Sequence, residues 1–180
     1  MHTIGGRRLS LKISGLTIRD GEQLPSTQDG AGVSAFLASV HISDCVFVSN
    51  QADMGGAIGI LRAQMPYGSL IERCVFINNT ASNEGGAISL FQFAKLGPAW
   101  NEIRDCEFVG NSAKFDGAAI LTAAENHVFV RNCVFRQNRS PEGPAISSVT
   151  GSYCVVTVCR FVANGPGPCV FVLNAACSIL

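Results

Sequence analysis

Five times along the chain an aliphatic residue is followed by Cys-x-Phe-x-x-Asn, then a short variable stretch, then Gly-Gly-Ala-Ile or a close variant. The cysteines are Cys45, Cys74, Cys106, Cys133 and Cys159; the matching pairs are Phe47/Asn50, Phe76/Asn79, Phe108/Asn111, Phe135/Asn138 and Phe161/Asn164. The glycine segments are Gly55-Gly56-Ala57-Ile58, Gly85-Gly86-Ala87-Ile88, Gly117-Ala118-Ala119-Ile120, Gly143-Pro144-Ala145-Ile146 and Gly167-Pro168-Cys169-Val170. Cysteines recur every 29, 32, 27 and 26 residues while the Cys-to-Asn step never changes. An invariant core with insertions confined to loops defines a solenoid, in which each unit buries its apolar face only against its neighbours.

Within one unit the residues Ile42, Cys45 and Phe47 point inward if the chain bends once and then alternates, which turns Val46 and Val48 outward. Residues 57–60 and 87–90 form a second short alternating run. No window holds apolar residues at helical spacing for three turns, and glycine punctuates every unit. Short strands therefore build each repeat, and three of them joined by turns fit one rung of a parallel β-helix. Each strand then bonds to its counterpart about 4.8 Å away in the next rung. A barrel of hairpins is disfavoured, because no Asn-Gly or Asp-Gly pair stands between matched strands at hairpin distance.

Stacking accounts for the residue types. Phenylalanines at one level above another fill the core as a column, and cysteine is small and weakly polar enough for a corner. Asn50, Asn79, Asn111, Asn138 and Asn164 are predicted to form an amide ladder, as polar side chains do in stacked sheets. The same ladder accounts for the sequons Asn78-Asn79-Thr80 and Asn138-Arg139-Ser140. The paired glycines suit a turn of positive φ or a backbone pressed against its neighbour.

This combination of Phe-x-x-Asn with Gly-Gly-Ala-Ile resembles the repeat of the chlamydial polymorphic outer-membrane proteins, which are autotransporter surface adhesins. More broadly it resembles the right-handed parallel β-helices of the pectin-lyase-like superfamily. The resemblance covers residues 42–170 and implies an all-β, single-stranded right-handed parallel β-helix, extracellular or at the cell surface, displaying loops on a rigid rod. A divergent earlier rung fits it too: Leu9, Leu11 and Ile13 alternate, Leu16 to Gly21 follow, and Gly30-Ala31-Gly32-Val33 replaces Gly-Gly-Ala-Ile. About six rungs at roughly 4.8 Å make residues 1–180 a single segment, short for its class. Apolar strands at both ends leave unpaired edges, open to further rungs or to end-to-end stacking. The segment reads as a piece of a longer protein.

Thirteen basic and thirteen acidic residues give a formal charge of zero, which excludes a phosphate-backbone binder of nucleic acid. No apolar run approaches the roughly 20 residues of a membrane helix, and the start lacks the layout of a signal peptide. Of eight cysteines, five share one repeat position, which favours a stacked column over a disulfide scaffold. Cys154, Cys169 and Cys177 stand outside the column, where a bond among them or to Cys159 is expected only in an oxidising compartment. Zinc is disfavoured: there is no Cys-x-x-Cys, and His2, His41 and His127 are scattered.

Two sets of residues are candidates for function. Asp29, Glu84, Asp116 and Glu142 stand just before the glycine of successive rungs, with Asp53 displaced one place upstream, and aligned carboxylates of this kind repel unless solvated, hydrogen-bonded or bridged by Ca²⁺. The variable stretches after the Gly-Gly-Ala-Ile strand carry Tyr67 in one rung and Phe91, Phe93 and Trp100 in the next, aromatics suited to a glycan or a cell-surface protein. A polysaccharide lyase or glycoside hydrolase is the contrasting reading, but no paired Asp-Asp, Gly-His-Gly or Arg-x-Lys segment supports it. Arg73, Arg104, Arg131 and Arg160 lie near the repeat cysteine at differing offsets, and so read as solvated surface.

Overall fold

The computed structural model describes residues 10–23, 29–61, 68–91, 100–141 and 143–179. The strands of the first complete rung are Ser39–Ser43, Val46–Val48, Gln51–Met54 and Ile58–Leu61, and the pattern recurs in Leu70–Glu72, Val75–Ile77, Thr80–Glu84 and Ile88–Phe91. Counterparts pair in parallel from rung to rung, as Phe47 with Phe76 and Phe76 with Phe108. The result is an all-β solenoid of four sheets. A seven-stranded long sheet runs from Ser10–Ser14 to Ala176–Ile179. A six-stranded phenylalanine sheet begins with Thr17–Arg19, and another six-stranded sheet begins with Val33–Phe36. The divergent first rung belongs to the stack, with Val33 in register with Ile58.

The fourth sheet corrects the expectation of three strands per rung. Gln51–Met54, Thr80–Glu84 and Ser112–Ala113 form a three-stranded sheet between Asn and Gly. Past Ser112–Ala113 it continues only as a single bridge of Ser112 to Arg139; Pro141 then has no N–H to offer the ladder, and only two residues separate Asn164 from Gly167.

The core is the set of columns that stacking demands. Phe47, Phe76, Phe108 and Phe135 are fully buried, and successive rings including Phe161 lie 4.8–5.0 Å apart and within 9° of parallel. The spacing of the strands imposes this face-to-face arrangement. Each column cysteine sends its S–H to the carbonyl two residues before it, at 3.1–3.3 Å, from Cys45 on Ser43 to Cys159 on Thr157. The thiol thus gives a second donor to carbonyls that already accept a backbone N–H, such as Ser43 O from Gly15 and Thr157 O from Asn132. The amide ladder is present: the Nδ2 groups of Asn50, Asn79, Asn111 and Asn138 each donate to the Oδ1 of the next asparagine at 2.9–3.0 Å.

Two corners of each rung take a left-handed residue. Asp44, Arg73, Asp105, Asn132 and Val158, immediately before each cysteine, have φ of 50–56°, and Ser49, Asn78, Gln137 and Ala163, immediately before the ladder asparagine, have φ of 51–54°. Non-glycine residues tolerate that region at roughly 1–2 kcal/mol each, which the stacked core on both sides offsets.

Candidate functional site

Because side chains alternate along a strand, the long sheet turns every second residue outward. Its register puts Trp100, His127, Tyr153 and Ala176 in one outer row, and Glu102, Phe129 and Val155 in the next. A third row holds Ser43, Glu72, Arg104, Arg131 and Thr157. Two clusters result, one aromatic and one charged.

In the aromatic cluster the Trp100 ring stacks on Phe129 at 5.0 Å and meets His127 edge-on at 4.6 Å, and Tyr153 closes the group at 6.3 Å from Trp100. Trp100 is 43% and Phe129 39% exposed. A shallow groove of about 400 Å³ borders it, lined by His127, Ser152, Tyr153 and Asn174. Ser152 is 2% exposed, yet its Oγ and His127 Nδ1 have no hydrogen-bond partner among the described residues. A second groove of about 260 Å³ lies between Glu102, Phe129 and Arg131, and Arg131 pairs with Glu102 at 2.5 Å.

The charged cluster centres on Glu72, only 5% exposed. His41 Nε2 lies 3.0 Å from its Oε1, Arg73 is 2.8 Å from Oε2, and Arg104 also hydrogen-bonds Oε2. Arg73 grips Asp44 with two further bonds of 2.8 and 2.9 Å. The His41 hydrogen bond, with Arg73 and Arg104, holds the Glu72 carboxyl below its usual range against the opposing pull of burial. This corrects the reading of the arginines: Arg104 and Arg131 are register partners, each two residues before its cysteine, whereas Arg160 sits on the phenylalanine sheet.

Behind the face runs a second polar ladder. Ser69 Oγ accepts from Val40 N at 3.1 Å, Asn101 Oδ1 from Ser69 N at 2.8 Å, and Asn126 Oδ1 from Asn101 Nδ2 at 2.9 Å. It anchors the turns that carry Trp100 and His127.

Of the residues singled out in the sequence, Trp100 opens a long-sheet strand and joins the aromatic cluster. Phe91 ends a strand of a different sheet, in register with Leu61 and Ala123, and the two are not brought together. Tyr67, Phe93 and Glu142 lie outside the described residues. His127, Phe129 and Tyr153 were missed, although Trp100, His127 and Tyr153 each stand six residues before a repeat cysteine.

The acidic stripe aligns with Met54 standing between Asp29 and Glu84, and Asp53 accepts from Ser82 Oγ at 2.8 Å. Among the described residues no three His, Cys, Asp or Glu side chains converge as a metal site. Burial pushes the Glu84 carboxyl up, with Asp116 and Asp53 adding to it, and burial followed by Asp53 does the same for Asp29. A carboxyl whose folded pKa exceeds its unfolded value loses stability for the protein as pH rises through that interval. Glu84→Gln is therefore expected to raise the melting temperature by roughly 1–2 °C at neutral pH, an advantage that vanishes once Glu84 is protonated in both states. Glu72→Gln has the opposite sign. Its depressed carboxyl contributes stability above its unfolded value and loses it as pH falls through the folded one. Melting curves of both variants across the acidic range check the pair.

Comparison with known proteins fits this architecture. Residues 38–179 match the right-handed beta helix region, and the chain belongs to that family. It is also similar to two proteins of Dictyostelium discoideum, the metabotropic glutamate receptor-like proteins R and P, each 26% identical over 137 residues. Those alignments cover 76% of this chain but 8% and 9% of the relatives, so the chain spans under a tenth of their length. No solved structure matches. Among the described residues no helix is long and apolar enough to cross a membrane.

Proposed function

We propose that this chain is a non-catalytic, ligand-contacting β-helix segment of a larger extracellular or cell-surface protein, and that its long sheet takes a glycan across the aromatic cluster. The carrying observation is the Trp100–Phe129–His127–Tyr153 group on a rigid parallel sheet. Aromatic faces stack on sugar rings, and the shallow groove beside them, lined by His127, Ser152, Tyr153 and Asn174, offers polar edges to hydroxyl groups that both donate and accept. Glu102 and Arg131 flank the rings as further polar anchors. A surface-adhesin role agrees with the repeat resemblance, and the receptor-like names of the relatives support a cell-surface setting. Glu72, ionised and saturated by His41, Arg73 and Arg104, makes a poor general acid, so binding without cleavage is expected.

A glycan array with the purified segment, followed by calorimetry on the best binder, tests the reading. Trp100→Ala is expected to weaken binding by roughly 5- to 30-fold, in line with an aromatic contact of about 1–2 kcal/mol, while Phe91→Ala leaves it unchanged. Unaltered affinity in the Trp100 variant, or release of reducing ends or unsaturated product, overturns it. Bridging of the acidic stripe by Ca²⁺ is a separate proposal, and a calcium titration that leaves the melting temperature unmoved removes it.

A further inference from the structure

All eight cysteines are thiols in the structure, but they are not equivalent. The five column cysteines each spend the S–H on a carbonyl of their own rung. Cys154 and Cys177 do otherwise. They are register partners on adjacent parallel strands, Tyr153–Thr157 and Ala176–Ile179, which sets their Cα atoms about 4.8 Å apart, inside the range a disulfide accepts. Among the described residues neither sends its thiol to a carbonyl, and the shared register sets the two side chains level with one another. Cys154 is fully buried, and Cys177 is partly exposed on the last strand.

We propose that Cys154 and Cys177 are a disulfide site that staples the last long-sheet strand to the stack, formed by exchange with a small oxidised thiol such as glutathione disulfide. The Cys177 thiolate, the accessible member, attacks the oxidised thiol to give a mixed disulfide and release one thiol. The Cys154 thiolate then attacks the Cys177 sulfur and expels the second. Two cysteine thiols and one glutathione disulfide become one protein disulfide and two glutathiones. Interaction with the neighbouring Cys154 lowers the Cys177 thiol to about 7, so a substantial fraction is thiolate at neutral pH. The same pairing pushes Cys154 up, a hindrance removed once Cys177 is capped.

The test is equilibration of the intact chain with excess glutathione disulfide, followed by peptide mapping without reduction. The expected result is one crosslink, Cys154 to Cys177, with a mass loss of about 2 Da, absent in Cys177→Ser and retained in Cys169→Ser. Hydrogen exchange in residues 176–179 should slow, and the melting temperature should rise by roughly 5–10 °C. A map with every thiol free or stably glutathionylated, or with the crosslink elsewhere, such as Cys159 to Cys169, overturns the proposal. The mapping uses the unsubstituted protein, so its outcome does not depend on whether a serine variant folds, nor on the glycan reading.

Discussion

Replacing Asn111 with alanine is expected to destabilise the protein by roughly 3–5 kcal/mol, because one amide closes four buried hydrogen bonds. Its Oδ1 accepts from the backbone N and from Nδ2 of Asn79, both at 3.0 Å. Its Nδ2 donates to Asn138 Oδ1 and to the Phe76 carbonyl, again at 3.0 Å. Alanine leaves the Asn79 backbone N–H and one N–H of its amide unpaired and takes one donor from the Phe76 carbonyl, at a position of zero exposure where water cannot replace the lost groups. Asn111→Asp is no remedy: it keeps the acceptor, loses both donors and buries a charge. Asn164→Ala is the informative control, since that side chain is only partly buried and closes three bonds, two accepted from Asn138 and one donated to the Phe135 carbonyl, with no further ladder asparagine to accept from its Nδ2. Its cost is expected to be less than half as large. Denaturant midpoints followed by circular dichroism compare the two. Equal losses would mean that the ladder acts as separate bonds of similar worth and that interior position adds nothing.

The columns were readable from the sequence because inward positions of a solenoid meet their own kind in the next rung. Phe47, Cys45 and Asn50 see Phe76, Cys74 and Asn79, so selection for stacking writes the same residue at the same offset. The outer face obeys no such rule. Glu72 lies level with Ser43 and Arg104, and Trp100 with His127, so most neighbours across rungs are chemically different, and Arg104 with Arg131 is an exception too short to read as a repeat. What aligns them is their distance from the cysteine, two residues back for Glu72 and Arg104, six for Trp100, His127 and Tyr153. The variable stretch after the glycine segment pointed to Trp100 but joined it to Phe91, which the chain carries onto another sheet. The fourth sheet was hidden for a related reason. Gln51–Met54 and Thr80–Glu84 carry few apolar residues, and their pairing follows from the fixed corners on either side.

Gly86→Ala is expected to cost roughly 2–4 kcal/mol, although alanine already occupies the same repeat position twice. A Cβ on Gly86 would run into the backbone of the following rung, meeting the Ala118 carbonyl oxygen closely and that of Ser112 at 2.6 Å. Gly56 is confined in the same way by Gly86 and by Thr80, whose carbonyl oxygen would be 2.6 Å away. Ala31 and Ala118 escape because their peptides are paired differently. Where the residue is glycine, its N–H reaches the first glycine of the next segment: Gly56 bonds Gly85 at 3.2 Å and Gly86 bonds Gly117 at 3.0 Å. Where it is alanine, the N–H reaches the equivalent position instead: Ala31 bonds Gly56 at 3.3 Å and Ala118 bonds Pro144 at 2.8 Å. The two pairings differ by one residue and set the close carbonyl at different places. Gly86→Ala must therefore either displace the Ala118 carbonyl or shift its own peptide to the other pairing, and both disturb the 3.0 Å bond of Gly85 to Asp116 beside it. The reverse change, Ala118→Gly, meets no such barrier and is expected to cost about 1 kcal/mol or less through chain entropy. Melting curves of the two variants separate the explanations. Equal and small losses in both would show that the two pairings interconvert freely, and that glycine at this position reflects no steric demand of the stack.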